Sequence, residues 1–295
     1  MLSLEPTLQR KYETLKDLFQ RMGSVVVAFS GGVDSTLVLK VGFDVLGARA
    51  KAVTAVSPTF PAQEVEEVRR LSAAIGIPLQ LIETDQLQIE AFVQNDATRC
   101  FHCKTDLYRL LSDLRDAGGF QTIVDGTNVD DLGEDRPGIN AARQLGVRSP
   151  LVEAGFRKAD IRELAKGLEL ANWNKPAAAC LSSRITRGLP ITKIYLSRVE
   201  KAEAFLVAQG LTQVRVRLHG DLARIEIEPT QMSLLTEEPL RSLLVEEFKK
   251  LGFQTVTLDL EGYRAGGGNL PQGGVTKHAL SLAEGSASNG PMFRK

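Results

Sequence analysis

The sequence has no excess charge of either sign, because 36 lysine and arginine residues balance 36 aspartate and glutamate residues among its 295. A protein that binds a nucleic acid along its phosphate backbone gains affinity from surplus basic charge. Zero net charge therefore argues against that class of protein, and we expect no nucleic-acid partner. Local basic patches remain compatible with this balance.

Long apolar runs are absent as well. No stretch approaches the roughly 18 apolar residues that span a bilayer. The amino-terminal segment MLSLEPTLQRKYETLKDL carries charges throughout and lacks the apolar core of a signal peptide. We therefore expect a cytoplasmic protein that does not associate with a membrane.

Cysteine is scarce, with three residues in the chain. In a reducing compartment such residues are thiols, metal ligands or reagents rather than disulfides. The remaining composition, 43% apolar and 24% charged, is that of a folded globular protein. Because the length is about twice the ~150 residues of a typical domain, we expect two domains.

Short apolar segments alternate with helical patterns in the first part of the chain. They predict strands at residues 24–29, 52–56, 79–82 and 122–124. Strands that alternate with helices favour a doubly wound α/β fold with a parallel sheet. We assign residues 1–185 to this first domain.

The pattern changes after residue 185 to that of a smaller α+β domain, assigned to residues 186–262. Its predicted elements are a helix, an antiparallel hairpin, a second helix and a final strand, at residues 195–208, 213–218, 222–228, 230–250 and 255–260. Residues 263–295 are rich in glycine at first and then poor in apolar residues, so we expect a flexible tail there.

A glycine-rich loop, Ser30-Gly31-Gly32-Val33-Asp34-Ser35, lies between the first predicted strand and the helix that follows it. Paired glycines let a ligand approach the backbone, and a helix start offers unpaired N–H groups to an anion. The loop lacks the lysine of GxxxxGK[ST], so it is not built to stabilise a transferring γ-phosphoryl group. The alternative is a plain strand–helix turn in which Asp34 or Ser35 caps the helix.

The cysteines form one pair and one single residue. Cys100 and Cys103 have the spacing of one helical turn, and Cys180 lies far along the chain. With no second pair, a four-cysteine site is impossible within one subunit. Three thiolates on a four-iron cluster would leave one iron for an external ligand such as sulfide. Zinc with His102 as the fourth ligand, or three unrelated cysteines, are the alternatives.

A basic face is predicted on the first strand of the hairpin, where Arg215, Arg217 and His219 alternate with apolar residues. Two adjacent guanidinium groups can clamp a phosphate or a carboxylate. The alternative is a sheet face with cross-strand ion pairs to residues such as Glu226 and Glu228.

The glycine-rich loop after an apolar strand resembles the PP-loop of the ATP pyrophosphatases. This resemblance implies that the loop binds the pyrophosphate of ATP while a substrate oxygen attacks the α-phosphorus. Pyrophosphate then leaves, and a nucleophile displaces AMP. In this setting Asp34 is expected to help hold Mg²⁺.

Further segments resemble the LarE-type sulfur transferases, in the same order along roughly residues 5–262. They are the PP-loop and residues 125–131, 136–138, 146–151, 176–184, 214–220 and 223–226. Members of this family adenylate the carboxylates of pyridinium-3,5-biscarboxylic acid mononucleotide and replace AMP with sulfur. The thiocarboxylates formed belong to the nickel-pincer nucleotide cofactor of lactate racemase-type enzymes.

The family has two branches that differ in their sulfur source. In one, the cysteine that matches Cys180 gives up its sulfur and becomes dehydroalanine. Because this sequence also carries Cys100 and Cys103, it resembles the other branch, in which three thiolates hold a [4Fe-4S] cluster and an extra cluster-bound sulfide is transferred. The resemblance thus implies that Cys100, Cys103 and Cys180 are catalytic residues and cluster ligands, with a sacrificial Cys180 as the alternative.

The resemblance also assigns residues to the small ligands. For ATP and Mg²⁺ these are Ser30, Gly31, Gly32, Asp34, Ser35, Gly126 and Asp131. For the substrate phosphate they are Arg215, Arg217, Ser183 and Arg184. Ser183, Arg184 and Arg187 could instead cap and pair within a loop, and Asp130 and Asp131 could only satisfy backbone N–H groups. The family also implies a homo-oligomer.

Other functions combine some of these features. A tRNA-thiolating enzyme can carry the same loop and three cluster cysteines, although the zero net charge argues against it. An ATP-dependent amide-forming synthetase and a non-catalytic adenine-nucleotide sensor would leave the cysteines without a role.

Overall fold

The computed structural model describes residues 4–133, 137–176 and 179–264. The predicted tail at residues 263–295 lies outside this part of the chain except for its first two residues. The elements of the first unit are α1 (Pro6–Met22), β1 (Val25–Ala28), α2 (Val33–Leu46), β2 (Ala50–Val56), α3 (Ala62–Ile75), β3 (Leu79–Glu83), α4 (Glu90–Val93), α5 (Arg99–Gly118), β4 (Thr122–Val124), α6 (Pro137–Gln144), α7 (Pro150–Glu153) and α8 (Lys158–Gly167).

The first sheet has four parallel strands in the order β3-β2-β1-β4. Val25, Val26 and Val27 of its inner strand β1 are β-branched and fully buried, as is typical of a parallel sheet that is covered on both faces. The four predicted strands are therefore confirmed, although β2 begins two residues earlier than predicted, at Ala50.

Helices cover both faces of this sheet, which confirms the doubly wound fold. On one face, Val27 of β1 belongs to the same core as Phe19 of α1 and Leu37 of α2. On the other face, Val26 packs in a core with Tyr108 and Leu111 of α5. Consecutive strand residues point to opposite faces, so a single apolar strand supplies both cores.

Chain order reverses at β1, with β2 and β3 on one side and β4 on the other. Because β1 and β4 are parallel, with Val25 opposite Thr122 and Val27 opposite Val124, the loops that follow them leave from the same sheet edge. Open α/β sheets bind ligands in the crevice at such a reversal, outside the carboxyl ends of the strands.

The second unit consists of α9 (Lys193–Ala208), β5 (Val214–His219), β6 (Leu222–Ile227), α10 (Met232–Thr236), α11 (Leu240–Lys250) and β7 (Thr255–Leu258). β5 and β6 form the predicted antiparallel hairpin, and β7 pairs with β6 in parallel. The single helix predicted at residues 230–250 is wrong, because the chain forms two helices there. Pro239, which has no amide hydrogen to donate, immediately precedes the second one.

The core of the second unit also takes in residues from earlier in the chain. Val216, Ile225 and Phe248 of this unit pack with Phe92 of α4 and with Leu181. The boundary at residue 185 therefore stays a prediction. In the described ranges, no helix is both long enough and apolar enough to cross a membrane.

Candidate functional site

A cavity of about 470 Å³ lies where the loops after β1 and β4 meet, a size typical of ligand sites. Its lining includes most of the residues that the sequence predicted for ATP and all three cysteines: Ser30, Gly32, Asp34, Ser35, Gly126, Asp131, Cys100, Cys103 and Cys180. The residues predicted to bind ATP and the three cysteines, which lie far apart in the sequence, therefore line the same cavity.

The glycine-rich loop leaves the amino end of α2 open. Gly32 is the residue before the helix, and within the described ranges no side-chain cap closes the first turn of α2. The alternative in which Asp34 or Ser35 caps α2 is therefore not what the structure has. Gly31 adopts φ = 73°, a left-handed conformation that favours glycine. An uncapped helix start beside a turn of this kind can bind an anion.

Gly126 lets the loop after β4 touch the loop after β1. A Cβ atom at this position would lie 2.7 Å from the backbone nitrogen of Ser35, closer than a real contact allows. The neighbouring Asp125 fixes this second loop, because its buried carboxylate accepts hydrogen bonds from Tyr108 at 3.0 Å, Ser149 at 2.7 Å and the Thr127 hydroxyl at 2.8 Å. The sequence did not single out Asp125.

Asp34 carries an unsatisfied carboxylate oxygen at the cavity. Lys158 donates to its Oδ2 at 2.6 Å, whereas its Oδ1 is buried and has no hydrogen-bond partner among the residues that the structure describes. Burial raises the pKa of Asp34, Lys158 opposes that shift, and the Asp131 carboxylate adds to it. Carboxylate oxygens are the ligands that Mg²⁺ prefers, and a cation here would relieve the repulsion between Asp34 and Asp131. The two residues therefore fit the predicted Mg²⁺ site.

Asp130 and Asp131 have different surroundings, although they are adjacent in sequence. Asp131 lines the cavity and accepts a hydrogen bond from the backbone of Asn128 at 3.1 Å. Asp130 instead accepts hydrogen bonds from the Arg157 side chain at 2.9 Å and from the backbone of Lys158 at 2.8 Å. Both carboxylates thus accept a hydrogen bond from a backbone N–H group, as the alternative expects, and Asp131 is the one of the two that also lines the cavity.

The three cysteines approach the cavity from two elements. Cys100 and Cys103 lie one turn apart at the start of α5, and Cys180 precedes a short 3₁₀ turn, Leu181–Arg184. Cys100 and Cys180 are exposed, whereas Cys103 is partly buried. Burial, together with the thiols of Cys180 and Cys100, raises the pKa of Cys103 to about 12. A thiolate at Cys103 therefore needs a nearby cation to compensate its charge.

The three thiols at the cavity are sulfur donors of the kind that bind iron–sulfur clusters. Three thiols around one cavity match the protein ligands of a cluster that keeps one iron open. As the side chains stand, no three His, Cys, Asp or Glu residues within the described ranges form a group that could hold a metal ion. His102, the alternative zinc ligand, is not among the residues that line the cavity and packs edge-on against Phe101.

Lys104 is a cavity residue that the sequence reasoning missed. Its Nζ lies 5.4 Å from the centre of the Tyr108 ring. Tyr108 and the Asp125 carboxylate raise the pKa of Lys104, so the amine stays charged beside Cys103. The signal was available, since Lys104 directly follows the cysteine pair and lies four residues before Tyr108, on the same helix face.

Arg184 is buried and supports the segment that carries Cys180. Its guanidinium pairs with Glu203 at 2.9 and 3.1 Å and donates to the carbonyl oxygens of Ala179 at 2.7 Å and Cys180 at 3.1 Å. Ser183 also donates to the Cys180 carbonyl, at 2.8 Å. These contacts match the alternative of pairing within the loop, and the predicted role in phosphate binding stays a prediction.

Arg217 is likewise engaged in a buried ion pair. It donates to both carboxylate oxygens of Glu226, at 3.0 and 2.9 Å, and to the carbonyl oxygen of Ser183 at 3.1 Å. Arg215 lies over the ring of Tyr263, and burial and the nearby Arg184 lower its pKa. Neither arginine is among the residues lining the cavity. Their predicted contact with the substrate phosphate also stays a prediction.

No family model matches the chain. It is 37% identical to the pyridinium-3,5-bisthiocarboxylic acid mononucleotide synthase of Lactiplantibacillus plantarum over 263 residues, 88% of this chain and 94% of that protein. It is also 43% identical to an uncharacterized protein of Synechocystis over 259 residues, 88% of this chain and 97% of the relative. A third relative, an uncharacterized protein of Methanocaldococcus jannaschii, is 28% identical over 265 residues, 90% of this chain and 97% of its own. The identity and coverage of the first of these relatives confirm the resemblance found in the sequence, and the chain belongs to the LarE-type sulfur transferases.

Proposed function

We propose that the protein is an ATP-dependent sulfur transferase of nickel-pincer cofactor biosynthesis. Its substrate would be pyridinium-3,5-biscarboxylic acid mononucleotide, whose carboxylates it converts into thiocarboxylates. The observation that carries the proposal is the single cavity lined by both the PP-loop and the three cysteines. The name of the Lactiplantibacillus relative, a bisthiocarboxylic acid mononucleotide synthase, supports the same product.

The first half of the reaction is adenylation. The open amino end of α2 and the glycines of the loop would bind the pyrophosphate of ATP, with Asp34 and Asp131 as ligands of Mg²⁺. A substrate carboxylate oxygen forms a bond to the α-phosphorus, and the bond from that phosphorus to the bridging oxygen breaks. Pyrophosphate leaves with the electron pair. The carboxylate oxygen thereby becomes part of AMP, which is a good leaving group.

The second half is sulfur transfer. Cys100, Cys103 and Cys180 would hold a [4Fe-4S] cluster, which when bound supplies an extra sulfide as the nucleophile. The part of the protein is to hold the acyl adenylate within reach of that sulfur, and such positioning supplies much of the rate. The charged Lys104 beside Cys103 would stabilise negative charge that develops there. Transfer would join the sulfur to the carboxyl carbon, release AMP with the electron pair of the carbon–oxygen bond, and require the sulfur to part from its carrier.

Sacrifice of Cys180 is a second route to the same product. Cys180, like Cys100, is exposed and lines the cavity, whereas Cys103 is partly buried, and the family resemblance points to Cys180 as the thiol that would attack the adenylate. Loss of its sulfur would leave dehydroalanine and limit each chain to one transfer.

Pyrophosphate release tests the proposed substrate. Anaerobically purified protein is incubated with ATP and Mg²⁺ and with one of three acceptors: the pyridinium dicarboxylate nucleotide, unmodified tRNA, or ammonia with a carboxylic acid. We expect release with the pyridinium dicarboxylate nucleotide alone, accompanied by a thiocarboxylate product. Release with tRNA or with the ammonia mixture, and none with the dicarboxylate nucleotide, would overturn the proposal in favour of a thiolating enzyme or a synthetase.

A further inference from the structure

Arg99 connects the helix of the cysteine pair to the segment of the single cysteine. It is the first residue of α5, directly before Cys100, and it is buried at the cavity. One of its guanidinium nitrogens donates to the carbonyl oxygen of Ser182 at 3.0 Å and to the side chain of Asn95 at 2.5 Å. Ser182 lies two residues after Cys180, so a single side chain spans the two parts of the thiol site.

Asn95 extends the same connection. It is fully buried and adopts φ = 56°. Its side-chain nitrogen donates to the carbonyl oxygens of Thr186 at 2.9 Å and Leu189 at 2.8 Å, while its oxygen accepts from Arg99. The amide is therefore held in one orientation, and the chain after Cys180 is bound to the start of α5.

The ion pairs of the site distinguish Arg99 from the other buried arginines. Arg184 pairs with Glu203 and Arg217 with Glu226. Within the described ranges Arg99 forms no salt bridge, and its contacts are an amide and a carbonyl group. Burial of a cation without a counter-ion is unfavourable. The buried guanidinium of Arg99 therefore indicates that this residue has a function at the cavity that it lines.

We propose that Arg99 is a positioning residue that sets the separation between Cys180 and the pair Cys100 and Cys103. Ser183 and Arg184 donate hydrogen bonds to the Cys180 carbonyl, and Arg184 also pairs with Glu203 of α9. Arg99, in contrast, connects the segment after Cys180 to the helix that carries the other two thiols. This role rests on the proposed function, in which the three thiols act together.

Arg99→Lys tests the role, because lysine keeps the charge and the apolar stem but cannot reproduce the guanidinium bridge. The matched control is Arg109→Lys, at an exposed arginine on the same helix. The probe is Cd²⁺ alone, titrated into the full-length protein without a cluster, and its binding is followed by the absorbance of the thiolate-to-metal charge transfer. No ATP or substrate is present, so the result is independent of whether the proposed reaction occurs.

We expect Arg99→Lys to bind Cd²⁺ about tenfold more weakly than the wild type, since a hydrogen bond from a charged donor is worth about that factor. Arg109→Lys should match the wild type. Amide hydrogen exchange at residues 182–189 should also be faster in Arg99→Lys, a change that a purely electrostatic role would not cause. Wild-type affinity and wild-type exchange in Arg99→Lys would overturn the proposal.

Arg99→Met completes the test, with circular dichroism to show that it is folded. If Arg99 acts only through its charge, Arg99→Lys should bind Cd²⁺ as tightly as the wild type and only Arg99→Met should bind more weakly, because a nearby cation stabilises the thiolates that hold the metal. That pair of results would also overturn the proposal. If it acts by position, Arg99→Met should bind at least as weakly as Arg99→Lys. Should Arg99→Met fail to fold, the lysine variant and its exchange rates decide the question.

Discussion

Lys158 donates a hydrogen bond to one oxygen of the Asp34 carboxylate at 2.6 Å, while the other oxygen is buried at the cavity with no partner in the described part of the chain. Lys158 belongs to α8 and Asp34 to the first turn of α2, so the pair fixes the direction of the free oxygen. A hydrogen-bond donor or a cation can satisfy this oxygen, and the proposed function assigns it to Mg²⁺.

Asp34→Asn should reduce pyrophosphate release by about a hundredfold, the order expected when a group that stabilises transition-state charge is removed. Asp44→Asn is the matched control, because Asp44 is also an aspartate of α2 paired with a lysine, Lys40, but far from the cavity. Steady-state release of pyrophosphate at several Mg²⁺ concentrations measures the effect. Equal activity of the two variants would contradict the assignment of Asp34.

Gly126→Ala should destabilise the protein by about 1–3 kcal/mol, because the added carbon would overlap the backbone nitrogen of Ser35. The matched comparison is Gly32→Ala, whose added carbon would meet only the Ser30 hydroxyl at 3.6 Å, an ordinary contact. Denaturant unfolding gives both free energies. If Gly32→Ala is the more destabilising of the two, the close approach at Gly126 is not what holds the loops together.

Cys103 should react slowly with iodoacetamide at pH 8. Its pKa of about 12 means that the reactive thiolate is about three orders of magnitude scarcer than for an ordinary thiol. Alkylation of each cysteine is followed by peptide mass spectrometry in the metal-free protein, and Cys180, which is exposed, serves as the internal reference. Reaction of Cys103 as fast as Cys180 would contradict the burial described for it.

The same pKa predicts how stability depends on pH. The unfolded thiol ionises near its ordinary pKa, whereas the folded Cys103 keeps its proton up to about pH 12. Between these values the folded state binds more protons, so Cys103 should make the free energy of unfolding fall as the pH rises above about 9. Cys103→Ala should lessen that fall in denaturant titrations. An unchanged pH dependence would show that the folded and unfolded thiols ionise alike.

Arg217→Met should destabilise the protein by about 1–3 kcal/mol, because the buried carboxylate of Glu226 loses both hydrogen bonds from Arg217 and keeps the one from Arg224. The double variant Arg217→Met, Glu226→Leu should recover much of that loss, since neither charge then remains. Denaturant unfolding of the single and double variants measures both effects. A variant of wild-type stability with a raised KM for the nucleotide substrate would instead favour the predicted contact with the substrate phosphate.

The first sheet could be predicted because local patterns determine it. Within about twenty residues, a run of valines at β1 is followed by a glycine-rich turn and then by a helix. Each of these patterns restricts the conformations that its neighbours can adopt. Parallel pairing then places the ends of β1 and β4 together, so the position of Gly126 beside the PP-loop follows from topology. The shared cavity of the cysteines and the loop followed from the family resemblance rather than from these patterns.

The surroundings of the arginines could not be predicted in the same way. The alternation of basic and apolar residues predicted that Arg215 and Arg217 share a face of β5. It did not predict that the guanidinium of Arg217 donates its hydrogen bonds to Glu226 and to the carbonyl group of Ser183. The bridge from Arg99 to Ser182 joins residues 83 positions apart and leaves no periodic signal. Long-range side-chain contacts of this kind depend on how the two units pack.

The direct test of the account separates adenylation from sulfur transfer. In the variant Cys100→Ser, Cys103→Ser, Cys180→Ser, the PP-loop and its carboxylates are intact while the three thiols are gone. With ATP, Mg²⁺ and the pyridinium dicarboxylate nucleotide, we predict that this variant releases pyrophosphate but forms no thiocarboxylate, whereas the wild type forms both. A variant that still makes thiocarboxylate at the wild-type rate would contradict the claim that the cavity unites the two half-reactions.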